Sequence, residues 1–170
     1  NGSIDFRKKA GKVAALDAEI ASAPLADSIL GIGHTRWATH GGPTDANAHP
    51  HVVDGGKLAV VHNGIIENFA ELRAELKAKG YTFISDTDTE VAASLLAEIY
   101  NSEATGDLTL AMQLTGQRLE GAFTLLAIHA DHGDRIVAAR RNSPLVIGLG
   151  EGENFLGSDV SGFIDYTRSA

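Results

Sequence analysis

Ala122-Phe-Thr-Leu-Leu-Ala-Ile-His129, Arg135-Ile-Val-Ala-Ala-Arg140, Leu145-Val-Ile-Gly-Leu149 and Asn154-Phe-Leu-Gly-Ser158 follow one another with only short turns between them. Each run is short, apolar and rich in branched or aromatic residues, which predicts four successive strands. The residues just before them read differently. Residues 67–79 place Phe69, Leu72 and Leu76 on one stripe and Glu71, Arg73, Glu75 and Lys77 on the other, the period of an amphipathic helix. Gly80 suits its C-terminal end. A strand is predicted over 81–84. Asp86 to Asp88 offer N-cap chemistry for a helix over 89–100, and Asp107 or Thr109 starts another that runs to Leu119. Helices clustered in mid-chain and strands in a run after them point to an α+β fold with antiparallel pairing. Toward the N-terminus, strands are predicted over 3–9, 29–37 and 57–62, a helix over 12–21, and a long polar loop over 39–51.

The 170 residues fit one domain, 1–170, with no repeat and no linker. The net charge of −8 argues against a nucleic-acid partner, because a phosphate backbone calls for a basic face. No apolar run is long enough to span a bilayer, and the first residues match no secretory or transit peptide, so a cytoplasmic setting is expected. The absence of cysteine excludes a disulfide, a cysteine-based metal site or a thiol nucleophile within these residues.

Polar residues gather in three stretches, His34-Thr-Arg-Trp-Ala-Thr-His-Gly41, Val61-His-Asn-Gly64 and Ser85-Asp-Thr-Asp-Thr89, each following a predicted strand. The planar guanidinium of Arg36 can grip a carboxylate with two parallel bonds, with Thr39 and His40 as further donors; equally, it can be an ordinary surface ion-pair residue. Asn63-Gly64 is the strongest short signal for a type I′ hairpin turn, and on spacing alone that reading is favoured. The alternative is two convergent donors, a side-chain amide and a backbone N–H, around a developing negative charge. Asp88 and Asp86 read first as helix caps and second as acceptors for an ammonium group. Five of the seven histidines fall between positions 34 and 62, but they lack the spacing of a known ligand set, so hydrogen bonding is favoured over metal binding. Residues 148–152 read as a turn rather than a phosphate cradle. Trp37 suits a lid or wall.

Taken together, residues 34–41, Asn47-Ala-His-Pro-His51, 61–68, 85–91, 143–148, 152–155 and Ser158-Asp159 resemble the glutaminase (class II glutamine amidotransferase) domain of the glucosamine-6-phosphate synthases, the isomerizing glutamine–fructose-6-phosphate aminotransferases. The likeness runs over nearly the whole chain. It implies a fold like the N-terminal-nucleophile hydrolases, a four-layer αββα sandwich with mainly antiparallel sheets. It implies hydrolysis of L-glutamine to glutamate and ammonia, with the ammonia passing to an isomerase domain that makes glucosamine 6-phosphate from fructose 6-phosphate. By the same resemblance Asn63 and Gly64 form an oxyanion hole. Arg36, Thr39 and His40 hold the substrate carboxylate, Asp88 its ammonium group, and Trp37 lies on the loop near the ammonia exit. No metal and no cofactor are implied, and the full-length synthases are expected to be homodimers.

The family begins with a Cys-Gly-Ile segment whose cysteine attacks the amide, and an Arg-Gly-Tyr-Asp segment follows. Neither occurs in these residues. The expectation is therefore a domain lacking its nucleophile strand and the downstream isomerase domains, and inactive by itself. The alternative is a non-catalytic fragment that binds glutamine or glutamate. A metal-dependent hydrolase built on the histidines ranks last.

Overall fold

A computed structural model describes residues 2–37 and 41–170. Its centre is a four-stranded antiparallel sheet in the order β1 (His51–Val53), β2 (Leu58–Ile66), β3 (Gly121–His129), β4 (Val137–Arg141). Chain neighbours are sheet neighbours. A 3-10 turn, Asp54–Gly56, joins β1 to β2 and puts Asp54, Gly55 and Gly56 at positive φ. β2 pairs with β3 over nine positions, with Asn63 opposite Thr124 and Gly64 opposite Phe123. β5 (Val146–Leu149) and β6 (Asn154–Gly157) form a separate antiparallel hairpin, so the predicted run of strands divides between two sheets. The turn expected over 148–152 lies at its tip, with the Gly150 N–H donating to the Glu153 carbonyl at 2.9 Å.

Alternation sorts each strand into two faces. Leu58, Val60 and Ile66 of β2 and Phe123, Leu125 and Ala127 of β3 are buried against helices α3 (Asp88–Asn101) and α4 (Leu108–Arg118), with α2 (Phe69–Ala78) adding Leu72 and Leu76. α3 is the central helix of this layer, and Val91, Leu95, Leu96 and Ile99 carry its packing. It is covered nearly all round, with 12 of its 14 residues buried, Asp88, Thr89, Glu90 and Ser94 among them. On the opposite face of the sheet, Val61 and Leu126 look across a cavity at Leu145 of the β4–β5 connection and Leu156 of β6. The Thr124 hydroxyl donates to the Pro144 carbonyl at 3.0 Å, tying the two sheets together.

The helix ends follow local chemistry. α2 closes in a Schellman motif: Gly80 has φ 95°, its N–H reaches the Lys77 carbonyl, and the Tyr81 N–H reaches Leu76. The Asp107 carboxylate caps α4 through the N–H groups of Thr109 and Leu110. At α3 neither Asp86 nor Asp88 is the cap. Thr87 is, its hydroxyl accepting from the Glu90 N–H at 3.2 Å, and Asp88 becomes the first helical residue. The helix expected over 12–21 is α1 (Val13–Ser22).

Three predicted strands are not strands. Residues 3–9, 29–37 and 81–84 make no ladder among the described residues. Their polar groups go elsewhere. Ile4 donates to Gly56, while Lys8 Nζ reaches the carbonyls of Ala46 and Ala48 at 3.2 and 3.1 Å. The N–H groups of Ile84 and Ser85 donate to the Glu90 carboxylate at 3.0 and 2.7 Å. A segment whose N–H groups are held by side chains or turns has no ladder to complete. No helix among the described residues is long and apolar enough to cross a membrane.

Candidate active site

β2 is longer than its neighbour on one side. β1 pairs only with residues 58–60, so the edge of β2 beyond Val60 is open there. What fills that edge is the site. The Asp88 carboxylate, 2% exposed, takes the N–H of Ile66 at 2.9 Å, the bond a further strand would otherwise make. Its other oxygen lies 3.9 Å from His62 Nδ1. The Thr89 hydroxyl stands between two histidines, 3.0 Å from His62 Nδ1 and 3.1 Å from His49 Nε2. His34 lies against His49 with ring centroids 4.2 Å apart and planes tilted by 36°, and its Nε2 lies 2.6 Å from Asn63 Oδ1.

Asn63-Gly64 is not a hairpin turn. The pair lies inside β2, because nine residues of pairing with β3 outweigh a two-residue preference. Gly64 has φ 118°, and a Cβ there would stand 2.1 Å from the Ala122 carbonyl oxygen. Only glycine lets the two backbones approach this closely.

Together His34, Arg36, Trp37, Asn63, Gly64 and Asp88 line a cavity of about 300 Å³, with His49, His62 and Thr89 along its wall. Arg36 donates from Nη1 to the Gly42 carbonyl and from Nη2 to that of Gly41, at 3.1 and 3.0 Å. Trp37 is 91% exposed at the mouth. Thr39 and His40 lie outside the described residues.

Three histidines in and beside the cavity are held below the usual range. Burial pushes His49 down to about 2, and the neighbouring His34, were it charged, would push the same way. Burial and the Lys8 charge bring His51 to about 3. His34 is also lowered, by burial first, partly opposed by its bond to Asn63. These rings are neutral hydrogen-bonding groups near neutral pH. Of His49 and His51 only His51 is in β1, and the two rings meet edge-on at 82°. Among the described residues, no three His, Cys, Asp or Glu side chains are grouped to hold a metal ion.

A family model described as a glutamine amidotransferase domain matches residues 34–165, which span every wall just described. The chain belongs to this family. The amidotransferase domain is 89% identical over 170 residues to the glutamine–fructose-6-phosphate aminotransferase (isomerizing) of Corynebacterium glutamicum, and 62% identical to that of Streptomyces coelicolor. All of this chain is matched in both cases, but it spans only 27% of each relative's length. Among solved structures it is similar to the glutamine phosphoribosylpyrophosphate amidotransferase of B. subtilis complexed with ADP and GMP. That match has a TM-score of 0.63 and 25% identity, over 79% of this chain and 29% of that one. An allosteric regulatory enzyme of purine biosynthesis gives 0.64 and 27%, over the same shares. The α+β, N-terminal-nucleophile hydrolase-like fold expected from the resemblance is thus the fold of this domain.

Two features of the amidotransferase domain's site escaped the sequence reading. One is the bond from His34 to Asn63, between residues 29 apart. The other is Glu90, which braces residues 84–85 and so aims the Asp88 turn. Thr87-Asp-Thr-Glu90 has the capping-box pattern, but only its Thr87 half forms: the Glu90 carboxylate takes the N–H groups of Ile84 and Ser85, and the Thr87 N–H goes to Ser85 Oγ.

Proposed function

We propose that this chain is the glutaminase domain of a longer isomerizing glutamine–fructose-6-phosphate aminotransferase, and that the cavity at the open edge of β2 binds L-glutamine. The observation that carries this is the meeting of Arg36, Asp88 and Asn63-Gly64 around one cavity. Glutamine presents a carboxylate, an ammonium group and an amide, and the cavity offers one match for each. Asp88 accepts from the ammonium group while its second oxygen keeps the Ile66 N–H. Arg36 takes the carboxylate by exchanging the Gly41 and Gly42 carbonyls for it, with Thr39 and His40 as further donors. Trp37 closes over the mouth.

The amide carbonyl sits between Asn63 and Gly64. Backbone groups alternate along a strand, so the Gly64 N–H turns to the same open edge as that of Ile66. When a nucleophile attacks, the carbonyl oxygen becomes an oxyanion, and the Asn63 amide and Gly64 N–H donate to it. One such donor contributes about 3–4 kcal/mol to the transition state. The family mechanism uses an N-terminal cysteine whose own α-amine acts as base. These 170 residues contain no cysteine, so the thiol would come from a part of the longer protein outside this chain. Ammonia then leaves past Trp37 toward the isomerase domain, and water releases glutamate. A cytoplasmic homodimer belongs to the same proposal.

The test is ammonia release from L-glutamine by the full-length aminotransferase and its Arg36→Lys and Asn63→Ala variants. Arg36→Lys should raise KM, because the bidentate fork is lost. Asn63→Ala should lower kcat by about 100-fold or more. Glutamine binding without ammonia release would instead favour the non-catalytic reading.

A further inference from the structure

The Asn63 side chain can act on an oxyanion only through its nitrogen. An amide can flip, presenting either oxygen or NH2 to the cavity, so something must set its direction. The structure contains a group that does so.

The Arg36 backbone N–H donates to His34 Nδ1 at 2.9 Å. A ring nitrogen that accepts carries no proton, so the single proton of the neutral imidazole is on Nε2. That Nε2 lies 2.6 Å from Asn63, and since it donates, the Asn63 atom facing it is the amide oxygen. In the flipped amide two donors would face one another. The Asn63 Nδ2 is thereby turned away from His34, and among the described residues no protein acceptor bonds to it. His34 is itself held, by the Arg36 backbone at Nδ1 and by the tilted His49 ring against it. The His49 ring is in turn tied by its Nε2 to the Thr89 hydroxyl on α3.

We propose that His34 is a positioning residue: its Nε2–H holds the Asn63 carbonyl oxygen so that the Asn63 amide donors face the reacting carbonyl. This rests on the reading of Asn63 as an oxyanion donor. It also gives Arg36 a double connection, with its side chain in the cavity and its backbone setting the tautomer of His34.

The experiment uses the full-length aminotransferase with L-glutamine as substrate. His34→Leu should lower kcat for ammonia release by about 10–100-fold, the usual cost of a displaced catalytic group. KM should change less than about threefold, because the bond matters only once the oxyanion forms. His34→Gln, whose amide nitrogen can occupy the Nε2 position, should recover most of the rate. In an Asn63→Ala background His34→Leu should have almost no further effect. If Asn63→Ala is slow but His34→Leu still adds its full loss, the positioning role is wrong while the oxyanion reading survives. If Asn63→Ala leaves kcat unchanged, the oxyanion reading itself fails. A readout independent of variant folding is nitrogen NMR of histidine-labelled enzyme: His34 should be the Nε2–H tautomer, and an Nδ1–H tautomer overturns the proposal.

Discussion

Replacing Gly64 by alanine tests the architecture on which the site depends. Two costs add. The backbone there has φ 118°, a region a residue with a Cβ rarely adopts, at about 1–3 kcal/mol. The new Cβ would also stand 2.1 Å from the Ala122 carbonyl oxygen and 2.9 Å from Phe123 Cα. Both belong to the backbone of β3, which cannot rotate away as a side chain does. An ordinary contact is well over 3 Å, so β3 must move by roughly 1 Å inside a nine-residue ladder, a strain comparable to overpacking at about 1–3 kcal/mol. The expected loss is about 2–6 kcal/mol. For a domain of this size that lowers the melting temperature by about 10 °C. Gly80→Ala is the control. Its φ is 95°, but nothing lies within 4 Å of the added Cβ, so only the conformational cost applies. Calorimetry of the full-length protein, following the transition of this domain, gives both numbers. Equal destabilisation by the two substitutions would show that β3 does not approach Gly64 as described, and the placement of Asn63 would fall with it.

Asp88→Asn keeps an acceptor for the Ile66 N–H but removes the charge. The KM for glutamine should rise about 10–100-fold, the worth of one charge-assisted bond, and an unchanged KM would remove Asp88 from the substrate site. Glu90→Ala strands the N–H groups of Ile84 and Ser85 and the Ser85 hydroxyl, so urea unfolding should show a loss of about 3 kcal/mol. A loss under about 1 kcal/mol would mean that water replaces the carboxylate there. Burial holds His49 at about 2 and His51 at about 3, below the usual 6.5 of an unfolded histidine. Between those values the unfolded chain binds more protons, so the stability these rings permit is complete above pH 6.5 and is lost as pH falls toward 3. Each should contribute a slope on the order of 1 kcal/mol per pH unit in that window, and a urea midpoint flat from pH 6.5 to 4 would show that the rings are not held neutral.

Helix α2 could be read from sequence because everything that makes it is local. Phe69, Leu72 and Leu76 recur at the helical period, and Gly80 can take the positive φ that ends it. The start of α4, narrowed to Asp107 or Thr109, and eight of the nine residues of β3 are legible for the same reason. The three polar stretches could also be matched to a family, since their residue types are a chemical list that survives without coordinates. Strands depend on partners far away in the chain. Residues 3–9, 29–37 and 81–84 have strand-like composition but form no ladder among the described residues; the N–H groups of Ile4, Leu30, Arg36, Tyr81 and Ile84 go to turns and side chains. Asn63-Gly64 shows the reverse. Two residues favouring a turn are held in a strand by pairing from Leu58–His129 to Ile66–Gly121. Sequence alone therefore determined the helices, the α+β class and the inventory of groups for the proposed glutamine site. Only tertiary structure decided that β1 stops short and leaves the edge of β2 open. It alone decided that Asp88 takes the Ile66 N–H there and that His34 aims Asn63, because those bonds join residues 22 and 29 positions apart, where no local pattern reaches.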